Sequence, residues 1–186
     1  MRKLVESTLV SLDGVVGAPW EWTGGYFDGE VKDYSLAQLS EYDAFLLGRV
    51  TYEKFAATWA RIQGDPYFDK INSMPKHVAS TTLRETTWNA TLLEGDVAGA
   101  VAELKNRPGK DIIKYGTSGL DRTLVEHGLI DRFHFMIFPV VVGGGRRLFE
   151  GVDAGRLGLE LVGTRAFGNG VVALTYAPTA PAGGAG

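Results

Sequence analysis

Residues 112–128 read IIKYGTSGLDRTLVEHG, an apolar run that passes through a glycine-rich turn into an amphipathic stretch. The β-branched start is typical of a buried strand, which would end at Tyr115. Ser118 is followed three residues later by Asp121, the spacing of a helix capping box, and Gly128 is a typical helix end. The stretch therefore predicts a strand, a sharp turn and a helix, which is the repeating unit of an α/β protein.

The same alternation of strand and helix continues on both sides of this unit. Strand–helix–strand units imply parallel pairing through right-handed crossovers, whereas the turn at 168–170 between two apolar runs predicts an antiparallel hairpin. The predicted fold class is α/β, with a mixed, mostly parallel sheet, helices on both faces and a C-terminal antiparallel hairpin. The predicted strands are Leu4–Leu12, Ala44–Leu47, Lys76–Ser80, Thr91–Leu93, Ile112–Tyr115, Phe133–Val142, Leu159–Phe167 and Val171–Tyr176, and the predicted helices include Val31–Tyr42, Tyr67–Ser73 and those that follow Gly48, Asp96 and Ser118.

Length and composition favour one domain with a short tail. The chain has 186 residues, 45% of them hydrophobic and 22% charged, which is the balance of an ordinary globular protein. We predict a single domain over residues 1–177. We expect residues 178–186 to form a flexible tail, because they consist only of Pro, Thr, Ala and Gly and cannot bury enough apolar surface.

Composition also excludes several kinds of chemistry and partner. The absence of cysteine excludes disulfides, thiolate nucleophiles and cysteine-ligated metals, and the three histidines are far apart in the sequence, so no metal site is predicted. A net charge of -3 with scattered basic residues gives no reason to expect nucleic acid or a membrane as a partner. The first residues lack the apolar core of a secretory signal, so a cytoplasmic location is expected.

Three predicted strands end in residues suited to an anionic ligand. In open α/β sheets, ligands bind beyond the carboxyl ends of the strands, where helix N-termini offer free N–H groups. Each segment alone is typical of an ordinary helix cap or turn, but together they could supply the separate anion sites that a dinucleotide needs. The G-x-G-x-x-G fingerprint of an ordinary Rossmann fold is absent. The segments are Gly48, Arg49 and Thr51, then Ser80, Thr81, Thr82 and Arg84, and finally Gly116, Thr117, Ser118 and Gly119.

Five segments of the chain resemble a known reductase family. They are 12–17 (LDGVVG), 45–53 (FLLGRVTYE), 115–119 (YGTSG), 128–131 (GLID) and 139–146 (PVVVGGGR). In this order they resemble the reductase domain at the C-terminus of the bifunctional riboflavin-biosynthesis deaminase–reductase and its stand-alone relatives. The resemblance implies a dihydrofolate-reductase-like fold. Because the chain has no Cys-x-x-Cys motif and begins at the first strand, we expect a stand-alone reductase domain and not the bifunctional enzyme.

The resemblance further implies that the cofactor is NADPH. The cofactor would carry the hydride chemistry, which fits a chain with few obvious catalytic side chains. The residues that the resemblance implies for cofactor binding are Val16 and Gly17 at the start of the loop over the nicotinamide, Gly48, Arg49 and Thr51 at a helix start, Ser80, Thr81 and Thr82 beside the adenosine 2′-phosphate, and Gly116, Thr117, Ser118, Gly119 and Leu120 around the pyrophosphate.

The substrate side is predicted from the early loop and the helix after it. We expect a small planar heterocyclic or carbonyl substrate, pterin- or pyrimidine-like, between the Trp20–Trp22 loop and the Val31–Tyr42 helix. Trp22 would stack on the flat substrate. Asp33, which the resemblance places near the acid that grips the substrate in dihydrofolate reductase, would bind or protonate it. Two alternatives stay open: a nicotinamide-nucleotide-binding protein without turnover, and a pocket that holds a flavin.

Several other residues have simpler expected roles. Glu6, on the first strand, is expected to be exposed, and Asp13 is expected to be an ordinary turn residue. Residues 143–145, three glycines, predict a sharp chain reversal that needs positive φ. Arg146 and Arg147 behind them would be solvated or, alternatively, form a small anion clamp.

An apolar sheet edge predicts self-association. Phe133–Val142 is a long apolar run with Pro139 inside it, which indicates an edge or a bulge, and the C-terminal hairpin is apolar as well. A bare edge of this kind invites pairing with another strand. We therefore expect a symmetric homodimer that covers this surface.

Overall fold

The computed structural model describes residues 1–152 and 157–179 of the chain. Its strands are β1 (Leu4–Ser11), β2 (Tyr42–Gly48), β3 (Lys76–Ala79), β4 (Ala90–Leu92), β5 (Asp111–Tyr115), β6 (Arg132–Phe138), β7 (Leu159–Ala166) and β8 (Val172–Pro178). Its α-helices are α1 (Gly29–Leu39), α2 (Arg49–Thr58), α3 (Pro66–Ser73), α4 (Val97–Asn106) and α5 (Gly119–Glu126).

One mixed sheet organises the described residues. Its strand order is β4-β3-β2-β5-β1-β6-β8-β7. The six strands from β4 to β6 in this order are paired in parallel, and β8 and β7 add two antiparallel pairs at the C-terminal side. The predicted fold class is therefore confirmed. The central strand β1 lies between β5 and β6. Its side chains are covered on both faces of the sheet.

Helices cover both faces of the sheet because its central strands are apolar on both sides. On one face, Leu4 and Ile112 pack with Leu124 of α5 and with α4, and we call this the α4/α5 face. On the other, Phe45 packs with Ile71 of α3 and with residues of α1 and α2. Burying each of these large side chains contributes roughly 1.5–3 kcal/mol. The two helical layers leave the carboxyl ends of the parallel strands uncovered, and we call this end of the sheet its open edge.

Two predicted elements end earlier than expected. The helix predicted over Val31–Tyr42 is α1, Gly29–Leu39, and Tyr42 instead begins β2. The strand predicted over Phe133–Val142 stops at Phe138, because Pro139 follows it and has no N–H to donate to the ladder. The strand is also not an edge: β6 lies inside the sheet, between β1 and β8.

The predicted tail begins within the last strand. Pro178 ends β8 and pairs with Leu159 of β7, and the next residue, Thr179, donates its backbone N–H to the Gly158 carbonyl at 2.9 Å. Residues 180–186, on which the prediction of a flexible tail mainly rests, lie outside the described residues.

Asp13 is more than a turn residue, which corrects the expectation from sequence. Its carboxylate accepts hydrogen bonds from the Ser11 hydroxyl at 2.6 Å and from the backbone N–H groups of Val142 at 3.1 Å and Gly143 at 2.8 Å. Arg147, expected in solvent, donates to the Asp13 carbonyl, although its side chain remains exposed. These bonds tie the turn after β1 to the segment after β6. They also hold the pKa of Asp13 near 2, below its ordinary 3.8, chiefly through the Ser11 hydroxyl.

The chain reversal predicted at residues 143–145 is confirmed. Gly143 has φ +85° and Gly145 has φ +124°, both in the region that favours glycine. A Cβ on Gly145 would lie 3.0 Å from Cγ1 of Val15, so the reversal also needs glycine for space.

Removing the Asp13 charge should destabilise the protein in a pH-dependent way. A carboxyl whose pKa is lowered on folding stabilises the protein above its unfolded pKa, and this stability is lost as the pH falls through the folded value. We therefore expect Asp13→Asn to lower the free energy of unfolding at about pH 7, and the deficit to shrink towards about pH 3. Urea unfolding at several pH values measures this, with Asp33→Asn on exposed α1 as control. An equal deficit at both pH values would contradict the prediction.

Candidate functional site

A groove of about 460 Å³ runs along the open edge of the sheet. It collects the ends of β2, β3 and β5 and the first turns of α2, α4 and α5, as the parallel arrangement requires. Eight of the predicted cofactor residues line it. The lining consists of Gly48, Arg49, Val50, Ala79, Ser80, Thr81, Thr82, Val97, Ser118, Gly119, Leu120 and Thr123.

Gly48 brings two helix starts together. It is the N-cap of α2 and offers no side chain to the first N–H groups of that helix. A Cβ at this position would lie 3.3 Å from the Ser118 hydroxyl, which is tighter than ordinary contact. The glycine therefore allows the N-terminus of α2 to approach the N-terminus of α5, and both helix dipoles point their positive ends at the groove.

The start of α5 has the predicted capping box. The Ser118 side chain accepts from the Leu120 N–H at 3.3 Å, and the Asp121 carboxylate accepts from the Ser118 N–H. Gly116, with φ +68°, makes the turn that leads into it. This short-range chemistry fixes the backbone that borders the groove.

The end of β3 supplies hydroxyl groups at the opposite wall. The Ser80 hydroxyl accepts from the N–H groups of Thr82 at 3.2 Å and Leu83 at 3.0 Å, which holds the chain in a turn. Thr81 and Thr82 are exposed in the groove. Arg84 is exposed nearby but is not part of the lining.

Arg49 lies at the rim of the groove and pairs with a neighbour on its own helix. Its Nη1 is 2.9 Å from Oε2 of Glu53, one turn along α2, and both side chains are nearly half exposed. Exposed pairs at this spacing contribute only about 0.3–0.5 kcal/mol. A ligand phosphate could therefore take over the guanidinium at little cost.

Other predicted residues lie apart from the groove. Val16 is buried in the core and donates its N–H to the Arg146 carbonyl at 2.9 Å. The Trp22 indole donates to the Gly17 carbonyl at 2.9 Å, and its ring packs edge-on against a core phenylalanine. Asp33 is exposed on α1. Thr51, Gly116 and Thr117 adjoin the lining residues along the chain without belonging to the lining, and the binding roles of all these residues stay predictions.

A row of polar side chains that was not predicted as a site crosses the other face of the central strands. The Tyr67 hydroxyl donates to the Tyr115 hydroxyl at 2.8 Å. His134 lies 3.4 Å from the Ser7 hydroxyl and 3.0 Å from the Tyr34 hydroxyl, so its two ring nitrogens are both satisfied, as expected for a structural histidine. Burial lowers the pKa of His134 to about 4 and keeps it neutral. Only the strand register, with Ser7 opposite both Tyr115 and His134, brings this row together.

Comparison with known protein families identifies the family to which the chain belongs. The RibD C-terminal domain matches residues 2–173. The chain belongs to the RibD C-terminal domain family. Among curated relatives, protein YyaP of Bacillus subtilis (strain 168) is 32% identical over 183 residues, covering 94% of both chains. Protein YwjB of the same organism is 28% identical over 173 residues, covering 91% of this chain and 95% of the relative.

Solved structures of RibD-like proteins share the fold of this family member. A putative riboflavin biosynthesis protein from Shewanella sp. PV-4 superposes with a TM-score of 0.72 at 20% identity, covering 96% of this chain and 99% of the other. A pyrimidine reductase-like protein from Corynebacterium diphtheriae gives 0.65 at 14% identity, with 96% and 92% covered. The chain spans 57% of the deaminase/reductase of Thermotoga maritima, also with a TM-score of 0.65, at 14% identity and with 96% of this chain covered.

In residues 1–152 and 157–179, no helix is both long and apolar enough to cross a membrane. The same residues contain no cluster of three or more His, Asp or Glu side chains that could hold a metal ion.

Proposed function

We propose that this RibD C-terminal domain binds NADPH in the groove and reduces a small planar heterocyclic or carbonyl substrate, pyrimidine- or pterin-like. The observation that carries the proposal is the convergence of three strand ends on one groove, with two helix N-termini, Arg49 and a row of hydroxyls. The family membership and the pyrimidine reductase-like neighbour support the same reaction class.

The chemistry of the groove fits a phosphorylated dinucleotide. Its volume lies within the range of small-ligand sites. The starts of α2 and α5 would hold the pyrophosphate, with Ser118 and Gly119 in contact with it. Thr81 and Thr82 would hold the adenosine 2′-phosphate, and Arg49 would add a charge at the rim.

The residues of the chain then have positioning and proton-transfer roles. Bound NADPH supplies a hydride to the carbon of a C=N or C=O group. We propose that Trp22 stacks on the substrate and excludes water, consistent with its position in the early loop on the ring of Phe138. We propose that Asp33, whose carboxyl is exposed on α1, delivers the proton to the substrate nitrogen or oxygen.

Oxidation of NADPH against a panel of pyrimidines, pterins and quinones tests the enzyme. We expect turnover with a pyrimidine or a pterin. The loss of reduced-nicotinamide absorbance measures this turnover. Binding of NADPH without turnover on any substrate would overturn the reductase and support the alternative, a nicotinamide-nucleotide-binding protein. Absence of NADPH binding would overturn both.

Arg49 should contribute to affinity and hardly to stability. A charge-assisted contact made only in the complex contributes roughly 1.5–3 kcal/mol, so Arg49→Ala should weaken NADPH binding about 10- to 100-fold. Glu53→Gln should tighten binding, because it frees Arg49 from its ion pair. Calorimetric titration measures both, with Arg61→Ala as a control that removes a charge outside the groove lining. An unchanged dissociation constant for Arg49→Ala would refute the assignment.

The cofactor preference should follow from the hydroxyl wall. We expect NADPH to bind about tenfold or more tightly than NADH, because the additional phosphate gains hydrogen bonds from Thr81 and Thr82. The double variant Thr81→Val, Thr82→Val should narrow this preference while leaving NADH affinity unchanged. Equal dissociation constants of the wild type for the two dinucleotides would contradict the prediction.

A homodimer through the sheet edge is also proposed. β7 is the last strand of the sheet order, and its Leu161 and Val162 are 50% and 46% exposed. An exposed apolar edge strand favours pairing with a second copy. We expect light scattering to give twice the mass of one chain, and Leu161→Lys with Val162→Lys to give the monomer. Val141→Lys, at an exposed valine outside the sheet, is the control, and a wild-type monomer at micromolar concentration would contradict the proposal.

A further inference from the structure

Three ionisable side chains are packed together beneath the N-terminus of α5. They are Glu6 of β1, Lys114 of β5 and Asp121 of α5, and each side chain is at most 2% exposed. Glu6, which the sequence led us to expect in solvent, is thus in the core, on the α4/α5 face. Burying ionised groups is costly unless their charges are compensated, so the charge state of this cluster matters.

The contacts leave a carboxyl oxygen of Glu6 with neither a hydrogen-bond partner nor a close cation. Lys114 Nζ is 2.6 Å from Oδ1 of Asp121 but 3.8 Å from Oε2 of Glu6, which is beyond hydrogen-bond distance. The Thr8 hydroxyl donates to Oε1 of Glu6 at 3.3 Å, whereas Oε2 accepts from no described residue. A buried carboxylate oxygen that has neither a donor nor a close cation is costly, so these contacts favour a proton on Glu6.

Glu6 is the carboxyl that holds the proton. Asp121 receives the close ammonium of Lys114 and the Ser118 N–H, and its pKa is lowered, mainly by Lys114 acting against the cost of burial. Burial raises the pKa of Glu6 well above its ordinary value. The other neighbours on this face are apolar, with Phe133 beside Glu6 on β6 and Leu124 on α5.

One further ion pair on this face, between buried Lys105 and half-buried Asp131, lies at the other end of β1. Lys105 of α4 pairs with Asp131 at 2.5 Å, and Asp131 accepts from the N–H of Leu4, the first residue of β1. Lys114 and Asp121 are therefore the charged groups of the described chain that face Glu6.

The cluster is bonded to both ends of the turn that borders the groove. Lys114 Nζ donates to the Gly116 carbonyl, and the Asp121 carboxylate accepts from the Ser118 N–H. With neutral Glu6, the charges of Lys114 and Asp121 cancel. With ionised Glu6, the cluster carries one net negative charge directly under the backbone that would face a phosphate.

We propose that Glu6 is a positioning residue for the anion site at the start of α5, whose neutral form keeps the turn receptive to phosphate and whose ionisation repels it. The inference rests on the proposed function of the groove. Affinity for the dinucleotide then falls as Glu6 loses its proton. By linkage, the bound dinucleotide must raise the proton affinity of Glu6 by the same factor, so binding takes up protons.

Calorimetric titration with NADP⁺ between about pH 6 and about pH 9, in buffers of different ionisation enthalpy, measures affinity and proton uptake together. For the wild type we expect affinity to fall about fivefold or more as the pH rises, with net proton uptake over the pH interval in which it falls. Glu6→Gln, which keeps the size of the side chain but cannot ionise, should keep the high affinity and abolish both effects. Glu103→Gln, which removes an exposed carboxylate of α4, should behave as the wild type and shows that the loss of a carboxylate elsewhere does not change the pH dependence.

Thermal unfolding of the apo proteins separates positioning from a merely structural role. A group whose pKa is raised on folding loses its stabilisation as the pH rises through the folded value. Glu6→Gln should therefore gain melting temperature relative to the wild type as the pH increases. Lower stability at every pH, together with lost binding, would show an ionised Glu6 paired with Lys114 and overturn the inference.

The remaining outcomes distinguish the two proposals. The same pH dependence and proton uptake in Glu6→Gln as in the wild type would overturn the role of Glu6 and leave the proposed function standing. A wild type that binds no NADP⁺ at any pH would overturn the proposed function, and the role of Glu6 with it.

Discussion

Parallel pairing of the central strands is the constraint on which the rest of the structure depends. Each parallel strand must be followed by a crossover, and in this chain the crossovers place helices on both faces. All the connections that leave carboxyl ends therefore emerge on one edge of the sheet. Residues that are up to seventy positions apart, such as Gly48 and Ser118, consequently face each other across a few ångströms. The position of the groove is therefore set by the topology of the sheet, and the residues at the strand ends supply its chemistry.

Features that depend on neighbours in the sequence could be predicted from the sequence. The capping box of Ser118 and Asp121, the glycine reversal at 143–145 and the change from strand to helix at Gly48 all rest on residues within a few positions of one another. Because ligand sites in α/β sheets follow strand ends, seven groove residues could be predicted together with the strands, and the family resemblance implied an eighth, Leu120. Val50, Ala79, Val97 and Thr123 were missed, although Thr123 follows the predicted Gly119 by one helical turn.

Features that depend on distant partners could not be predicted. Glu6 is buried beside Lys114 and Asp121. Both partners lie more than one hundred residues away in the sequence, so no local pattern records that pairing. Strand alternation puts Glu6 on the same face as Leu4 and Thr8, but whether that face meets helices or water is a tertiary property. The hydrogen bonds of Asp13 to residues 142 and 143 could not be predicted from the sequence for the same reason. The substrate contacts proposed for Trp22 and Asp33 depend on a molecule whose shape the sequence does not encode.

The tie made by Asp13 has a mechanical consequence. Besides its own bonds, residues 14–16 are joined to residues 146–148 by two backbone hydrogen bonds, from the Val16 N–H to the Arg146 carbonyl and from the Leu148 N–H to the Gly14 carbonyl, which together make the Val15–Arg147 bridge. Neither segment can move outward without breaking the bonds of the other. The two therefore form a single cooperative opening unit, so we expect hydrogen exchange to give the amides of Val16, Gly143 and Leu148 the same opening free energy.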